Sequence, residues 1–254
     1  MVRLGQNFLA DPNLLDAIVR DAALAPTDVA LEVGAGEGVL TWRLAAVAAH
    51  VHTVEIDRGL EPALAPLAAL ANVSLHWGDA MKLDFGEFGP APTAMVANLP
   101  YAVATPVLLR TIELLPSLAT WTVMVQREIG DRLRAAPGSR TYGSPSVVAQ
   151  LACEVELVRK VDPAVFKPRP RVDSAILRLR RTGPGADPAT RRLIRAAFAH
   201  RRKSLARSLE HGAEGSLAPA RAALAELGLA EDSRAEALSP AQFAALSAKL
   251  QSQA

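Results

Sequence analysis

The sequence predicts an α/β fold: a mostly parallel sheet with an antiparallel last strand, followed by a small all-helical C-terminal domain. Short apolar runs of strand length alternate with helical stretches through roughly the first half of the chain, and such alternation needs the crossover connections of parallel pairing. Two longer strand candidates with a proline-rich connector follow, a hairpin-like pair that would close the sheet. Beyond the linker Thr182-Gly-Pro-Gly-Ala-Asp-Pro188 everything reads as helix. The composition agrees: 254 residues, 50% of them apolar, support a large domain plus a small one and exclude a disordered chain.

Asp11 is a predicted N-cap with Pro12 at the first helical position, and Leu14, Leu15, Ile18, Val19 and Ala22 follow at helical spacing. Val29–Val33 is a short buried-strand run; after it come a glycine turn (Gly34, Gly36, Gly38) and an apolar helix to about Ala49. Val51–Ile56, Val73–Trp77, Ala94–Ala97 and Trp121–Val125 are further strand candidates, with a helix starting at Thr105-Pro106. The pattern changes after Arg127–Ala135: a turn at Ala136-Pro-Gly-Ser139, a short helix from Ser144-Pro145, then strands at Ala152–Val161 and Asp173–Arg180 joined by Phe166-Lys-Pro-Arg-Pro170. Asp187-Pro188 opens a helix, Leu217–Leu227 forms another that stops at Gly228, and Ser239 with Gln242 caps the last, which carries Phe243, Leu246 and Leu250. The domain reading is therefore 1–182 for the sheet and 187–254 for the helices.

Several classes are excluded. No apolar run approaches the ~20 residues of a membrane span. The N-terminus is polar within a few residues, which predicts no secretory signal and a cytoplasmic protein. Cys153 is the single cysteine, so no disulfide framework and no metal cluster are expected. The net charge of +2 conceals an asymmetry, because Arg159 to Arg207 holds fifteen Lys/Arg against three acids. A segment of +12 on a remainder of −10 predicts a surface that faces a polyanion such as nucleic acid.

The chemistry concentrates at predicted strand ends. Glu32-Val-Gly34-Ala-Gly36-Glu-Gly38 lets backbone approach a ligand closely. Its G-x-G-x-G spacing differs from the dinucleotide fingerprint, and an acid at position 32 suits a cationic or amine-bearing ligand. Glu55 ends the second strand, where a carboxylate can accept from both ribose hydroxyls, with Asp57 as the local competitor. Asp79, followed by Ala80, is a candidate base-edge acceptor after the third strand. Asn98-Leu99-Pro100-Tyr101 ends the fourth: a non-donating turn aims the Asn98 amide oxygen and backbone carbonyls at one point beside a flat ring, which suits an exocyclic amine on a base.

At these residues the sequence resembles the ribosomal RNA adenine N6-dimethyltransferase family. The resemblance is carried by Gly5-Gln-Asn-Phe-Leu9, Glu32-Val-Gly-Ala-Gly36, Val54-Glu-Ile-Asp57, Gly78-Asp-Ala80 and Asn98-Leu-Pro-Tyr101. It continues through Pro137-Gly-Ser139, Tyr142-Gly143, Phe166-Lys-Pro-Arg-Pro-Arg-Val-Asp-Ser174, Arg201-Arg-Lys203 and Arg234-Ala-Glu-Ala-Leu-Ser239. It departs at Ala102-Val-Ala104 and at Ala35 and Glu37, where the family commonly carries other residues.

The resemblance implies a Rossmann-like, S-adenosylmethionine-dependent methyltransferase sheet. It places Asn7, Leu9, Gly34, Gly36, Glu55, Asp79, Ala80 and Asn98 around the cofactor. Asn98, Leu99, Pro100 and Tyr101 would hold the target adenine, and Phe166 would stack on its other face. It implies RNA contacts by Lys167, Arg169, Arg171, Arg201, Arg202 and Lys203. The implied substrate is a pair of adjacent adenines in the 3′-terminal hairpin loop of 16S rRNA, within a 30S subunit or its precursor, with a monomeric enzyme that uses no metal. Rival readings are a macrolide-resistance-type 23S rRNA methyltransferase, an assembly factor that acts by binding 30S, and a DNA amino-methyltransferase.

Overall fold

The structure, a computed structural model, describes residues 8–200, 202–211 and 217–252. In chain order its elements are β1 (Phe8–Leu9), α1 (Pro12–Ala22), β2 (Val29–Val33), α2 (Val39–Ala45), β3 (His50–Glu55), α3 (Glu61–Leu64), β4 (Val73–Trp77), β5 (Ala94–Asn98), α4 (Ala104–Leu114) and β6 (Thr120–Gln126). There follow α5 (Arg127–Leu133), α6 (Ser144–Ala152), β7 (Cys153–Val161), β8 (Phe166–Lys167), β9 (Ser174–Arg181), α7 (Pro188–Ala199), α8 (Leu205–His211), α9 (Leu217–Glu226) and α10 (Pro240–Ser252). The chain divides into two compact units. One runs to Gly130 and includes Val155–Arg181; the other comprises Asp131–Glu154 and the chain from Thr182 onward.

The first unit is built on a seven-stranded sheet of order β4-β3-β2-β5-β6-β9-β7. The pairs among β4, β3, β2, β5 and β6 are parallel, and β9 is antiparallel to β6. All five residues of β2 are buried, as a central strand of a parallel sheet requires. Asp11 caps α1 as its sequence suggests, its Oδ1 accepting from Asn13 N at 2.8 Å and Leu14 N at 3.2 Å. The α2 helix ends at Ala45, earlier than the apolar run, because a turn delivers the chain to β3 at His50. A two-stranded sheet of β1 with β8 was not visible in the periodicity: each strand is only two residues long, pairing Phe8 with Lys167 and Leu9 with Phe166.

Three histidines share one patch of this unit. His52 Nε2 lies 2.8 Å from the Pro90 carbonyl, which can only accept, so Nδ1 of His52 accepts from His76 Nε2 at 3.0 Å. Phe88 stacks on His76 at 3.8 Å, and His50 bonds Ser74. Burial lowers all three affinities for protons; His76, which also feels His52 and His50, is pushed down to about 4. At these histidines the unfolded chain takes up protons below about pH 6.5 that the folded one refuses, so their contribution to stability is lost as pH falls across that window. Urea titrations are expected to show the wild-type midpoint declining relative to that of His76→Gln as pH falls from about 6.5 to about 4; a pH-independent difference between the two would contradict the assignment.

The second unit has its own core, in which Tyr142 and Val147 pack with Ile194, Leu205, Leu224, Phe243 and Leu246. Phe198 sits 6.1 Å from Tyr142 and 5.7 Å from Phe243 between ring centroids. The Tyr142 hydroxyl donates to the Leu238 carbonyl at 2.8 Å, and Gly138 N donates to Glu236 O at 2.7 Å. Two motifs nearly a hundred residues apart are thus one contact. This differs from a division at residue 182, since the helical core draws in 131–154. The Ser239–Gln242 capping box forms as expected, at 2.8 and 3.2 Å. No helix among the described residues is long and apolar enough to cross a membrane. Replacing Tyr142 by Phe strands a buried carbonyl and is expected to cost about 1–3 kcal/mol, read as a lowered denaturation midpoint.

Candidate active site

Chain order reverses between β2 and β5, so a crevice opens beyond their C-terminal ends. A cavity of about 400 Å³ lies there, within the size range of small-molecule sites. Each strand end contributes to its wall: Glu32 and the glycine turn from β2, Glu55 and Ile56 from β3, Gly78-Asp79-Ala80 after β4, and Asn98 to Val103 after β5. Phe8 and Leu9 line it from β1. Four acids, Glu32, Glu37, Glu55 and Asp79, are on the wall; among the described residues no Lys, Arg or His is.

The glycine turn is set by close approach. Gly34 has φ +84°, and a Cβ there would stand 3.0 Å from Pro100 Cγ and 3.1 Å from Cδ. Gly36, at φ +58°, packs under the Phe8 ring, and its N–H donates to Glu55 Oε2 at 2.9 Å. Glu55 Oε1 accepts from Ile56 N at 2.8 Å and Asp57 N at 2.9 Å. Three of a carboxylate's roughly four acceptor positions are therefore filled by backbone; a diol held by both oxygens would find the remaining position on Oε2 and compete with the Ile56 and Asp57 amides on Oε1. Asp57 caps the next turn through Gly59 N at 2.9 Å and is not on the cavity wall. Asp79 Oδ1 accepts from Met81 N at 2.9 Å.

Glu32 is buried, with Oε2 accepting from Thr41 Oγ1 at 2.5 Å and Thr53 Oγ1 at 2.8 Å. Burial pushes its carboxyl up to about 7, the charge of Glu55 adds to the rise, and the two hydroxyls oppose it.

At the β5 end, Leu99 is buried and its N–H donates to Met124 O at 3.1 Å, so it serves as an anchor while its neighbours face the cavity. The Asn98 carboxamide has no hydrogen-bond partner among the described residues. The Pro100 carbonyl accepts from Val103 N at 3.0 Å and keeps one lone pair. Tyr101 is pinned by its hydroxyl, 2.6 Å from Ser174 Oγ. The role of Ser174 is not readable from local sequence, because this bond joins residues 73 apart.

Phe166 departs from its expected geometry. It is 2% exposed, packs with Leu9 and Leu15, and meets Tyr101 edge-on at 6.5 Å and 71°. The two rings do not form a parallel slot for a base in this structure. Asn7 and Arg201 lie outside the described residues. Lys167, Arg169 and Arg171 are exposed in the first unit; Arg202 and Lys203 line an open concavity of about 680 Å³ in the second, with Arg207 and Arg221 and the acids Glu210, Glu231 and Asp232, of which Glu231 pairs with Arg221. Other cations of the basic segment are committed to the fold. Arg159 pairs with Asp21, Arg178 bonds the Asp21 carbonyl at 2.7 Å, and Arg181 serves three carbonyls beneath Trp121. No group of three or more His, Cys, Asp or Glu among the described residues could hold a metal.

The family model for ribosomal RNA adenine dimethylase matches residues 2–252. The chain belongs to that family. It is 44% identical to ribosomal RNA small subunit methyltransferase A of Rubrobacter xylanophilus over 96% of this chain and 92% of that protein. It is also 44% identical to the protein of the same name from Streptomyces griseus, over 95% and 86%. Among solved structures, a dimethyladenosine transferase from Plasmodium falciparum shares the fold with TM-score 0.80 at 24% identity, covering 94% of this chain and 95% of that one. The 23S rRNA methyltransferase ErmE matches with TM-score 0.69 at 29% identity, over 96% and 100%. These matches agree with a Rossmann-like methyltransferase sheet and a helical C-terminal region.

Gly34→Ala adds a side chain in the left-handed region, which costs about 1–2 kcal/mol, and presses on Pro100 as well. The variant is expected to melt earlier and to lose methyl transfer more than stability alone explains, as compared by thermal unfolding and initial rates.

Proposed function

We propose that the protein is a small-subunit rRNA adenine N6-dimethyltransferase that uses S-adenosylmethionine on two adjacent adenines in the 3′-terminal hairpin loop of 16S rRNA. The observation that carries this is the Asn98 carboxamide, without a partner among the described residues, beside the Pro100 carbonyl and the Tyr101 ring on the wall of an acid-lined cavity. The cavity fits the donor: its volume suits a nucleoside-sized ligand, its acids suit a net cation, and Asp79 keeps one oxygen free of described partners. Leu9, Gly34, Gly36, Glu55, Asp79, Ala80 and Asn98 would hold it, together with Asn7. When bound, it supplies a methyl group on a positively charged sulfur that leaves as a neutral thioether.

The chain's own residues deal with the base. Adenine N6 is a poor nucleophile because its lone pair is delocalised into the ring. Hydrogen bonds from its amine to Asn98 Oδ1 and the Pro100 carbonyl favour a tetrahedral nitrogen with a directed lone pair. Tyr101, fixed by Ser174, offers its face to the ring. Catalysis then rests on positioning and on charge placed in advance. A base must leave its stack to reach this site, which costs least in a loop. Lys167, Arg169, Arg171, Arg201, Arg202 and Lys203 would contact phosphates, each unit contributing its own set. The enzyme would act as a cytoplasmic monomer on 30S particles or their precursors.

The test is to incubate unmethylated small subunits with enzyme and donor and to map methylated adenines on the rRNA. Two adjacent dimethylated positions in the terminal loop are expected, and modification confined to 23S rRNA or duplex DNA would reject the reading. Asn98→Ala is expected to lower the rate about a hundredfold or more while 30S binding persists; wild-type turnover by that variant would remove Asn98 from the chemistry.

A further inference from the structure

Glu32 has the features of a group that waits for a cation. Its backbone sits opposite Thr53 in the β2–β3 register, which brings that hydroxyl to Oε2, and Thr41 of α2 reaches the same oxygen. Oε1 has no hydrogen-bond partner among the described residues, although the residue lines the cavity and is 1% exposed. Among the described residues the cavity wall offers no compensating charge. From β3 comes Glu55, from the glycine turn Glu37, from the segment after β4 Asp79, and from β5 the neutral Asn98. A buried carboxylate facing other acids is costly to ionise, and an incoming positive charge relieves that cost.

We propose that Glu32 holds a proton when the cationic methyl donor is absent and releases it when the donor binds, so that the cavity prefers the donor over its neutral demethylated product. This rests on the proposed use of S-adenosylmethionine and makes Glu32 a specificity-determining residue. Donor binding then liberates up to one proton, and donor affinity rises with pH until Glu32 is ionised in the free enzyme as well. The direction agrees with the raised proton affinity of the buried carboxyl, which lies at about 7. Once the methyl group has left, the attraction at sulfur is gone, Glu32 regains its proton from solvent, and the thioether is held less tightly.

Calorimetry on the full chain tests this, with S-adenosylmethionine and S-adenosylhomocysteine titrated in buffers of different ionisation enthalpy between about pH 6 and about pH 8. Both ligands carry an α-amino group that titrates nearby, so wild type and Glu32→Gln are compared over the same range. The wild type is expected to release several tenths of a proton more with donor than with product near pH 7. Glu32→Gln is expected to abolish that difference and to reduce the donor-to-product affinity ratio roughly tenfold at the upper pH. Should that variant not fold, Thr41→Val keeps the carboxyl but removes a hydroxyl that favours its charged form, and the midpoint of the linkage is expected to move upward. Equal proton release for donor and product, or release unchanged in Glu32→Gln, overturns the proposal while leaving the methyl-donor reading intact. Failure of the donor to bind at any pH overturns both.

Discussion

The first unit depends on how closely the backbone of the glycine turn can approach Pro100. Gly34 follows the central strand β2, and Pro100 lies two residues beyond the end of β5, on opposite sides of the point where strand order reverses. A Cβ at position 34 would stand 3.0 Å from Pro100 Cγ, so the proline ring would have to give by a few tenths of an ångström, on top of the strain of the left-handed backbone. The same turn directs Gly36 N toward Glu55 and places Gly36 beneath Phe8. Two missing side chains, at Gly34 and Gly36, therefore coordinate contributions from β1, β2, β3 and β5, whose own positions are fixed by sheet pairing and burial.

Carboxylates around that crevice are held in two different ways. Glu55 accepts from three backbone N–H groups, of Gly36, Ile56 and Asp57. Glu32 receives two hydroxyl donors on one oxygen and is otherwise enclosed by sheet. The two hydroxyls do not offset full burial, which dominates. Two acids one strand apart can thus differ in role: one is a fixed acceptor, the other responds to the charge of whatever occupies the cavity.

Much of this was legible in the sequence because it depends on local pattern. Strand-length apolar runs, Asp11 and Asp187 as caps, and Ser239 with Gln242 need only neighbouring residues to be recognised. The convergence of residues 32–36, 55, 79 and 98 was legible too, since parallel strands bring their C-terminal ends to one edge. What escaped involves partners far apart in the chain. The β1–β8 pairing joins residues about 158 apart through strands too short to show alternation, and it explains why Phe166 is buried and edge-on. Ser174 beneath Tyr101 and Tyr142 against Leu238 are single bonds across 73 and 96 residues. The helical core claims 131–154 because of such contacts, which no boundary drawn from the Gly-Pro linker could reveal.

The charge pattern needs the same resolution before it means anything. Of the cations between Arg159 and Arg207, Arg159, Arg178 and Arg181 hold elements of the first unit together, so the +12 of the segment overstates what faces solvent. What remains exposed, such as Lys167, Arg169 and Arg171, is suited to phosphates. The cavity has the opposite character, four acids without a cation among the described residues. A polyanion is therefore attracted to the protein surface but repelled from the cavity. On the proposed function this separation sorts the substrate by charge: the sugar-phosphate backbone stays on the basic surface, and an adenine base, which is neutral, enters the acidic site without electrostatic penalty. The positively charged donor favours that site for the same reason.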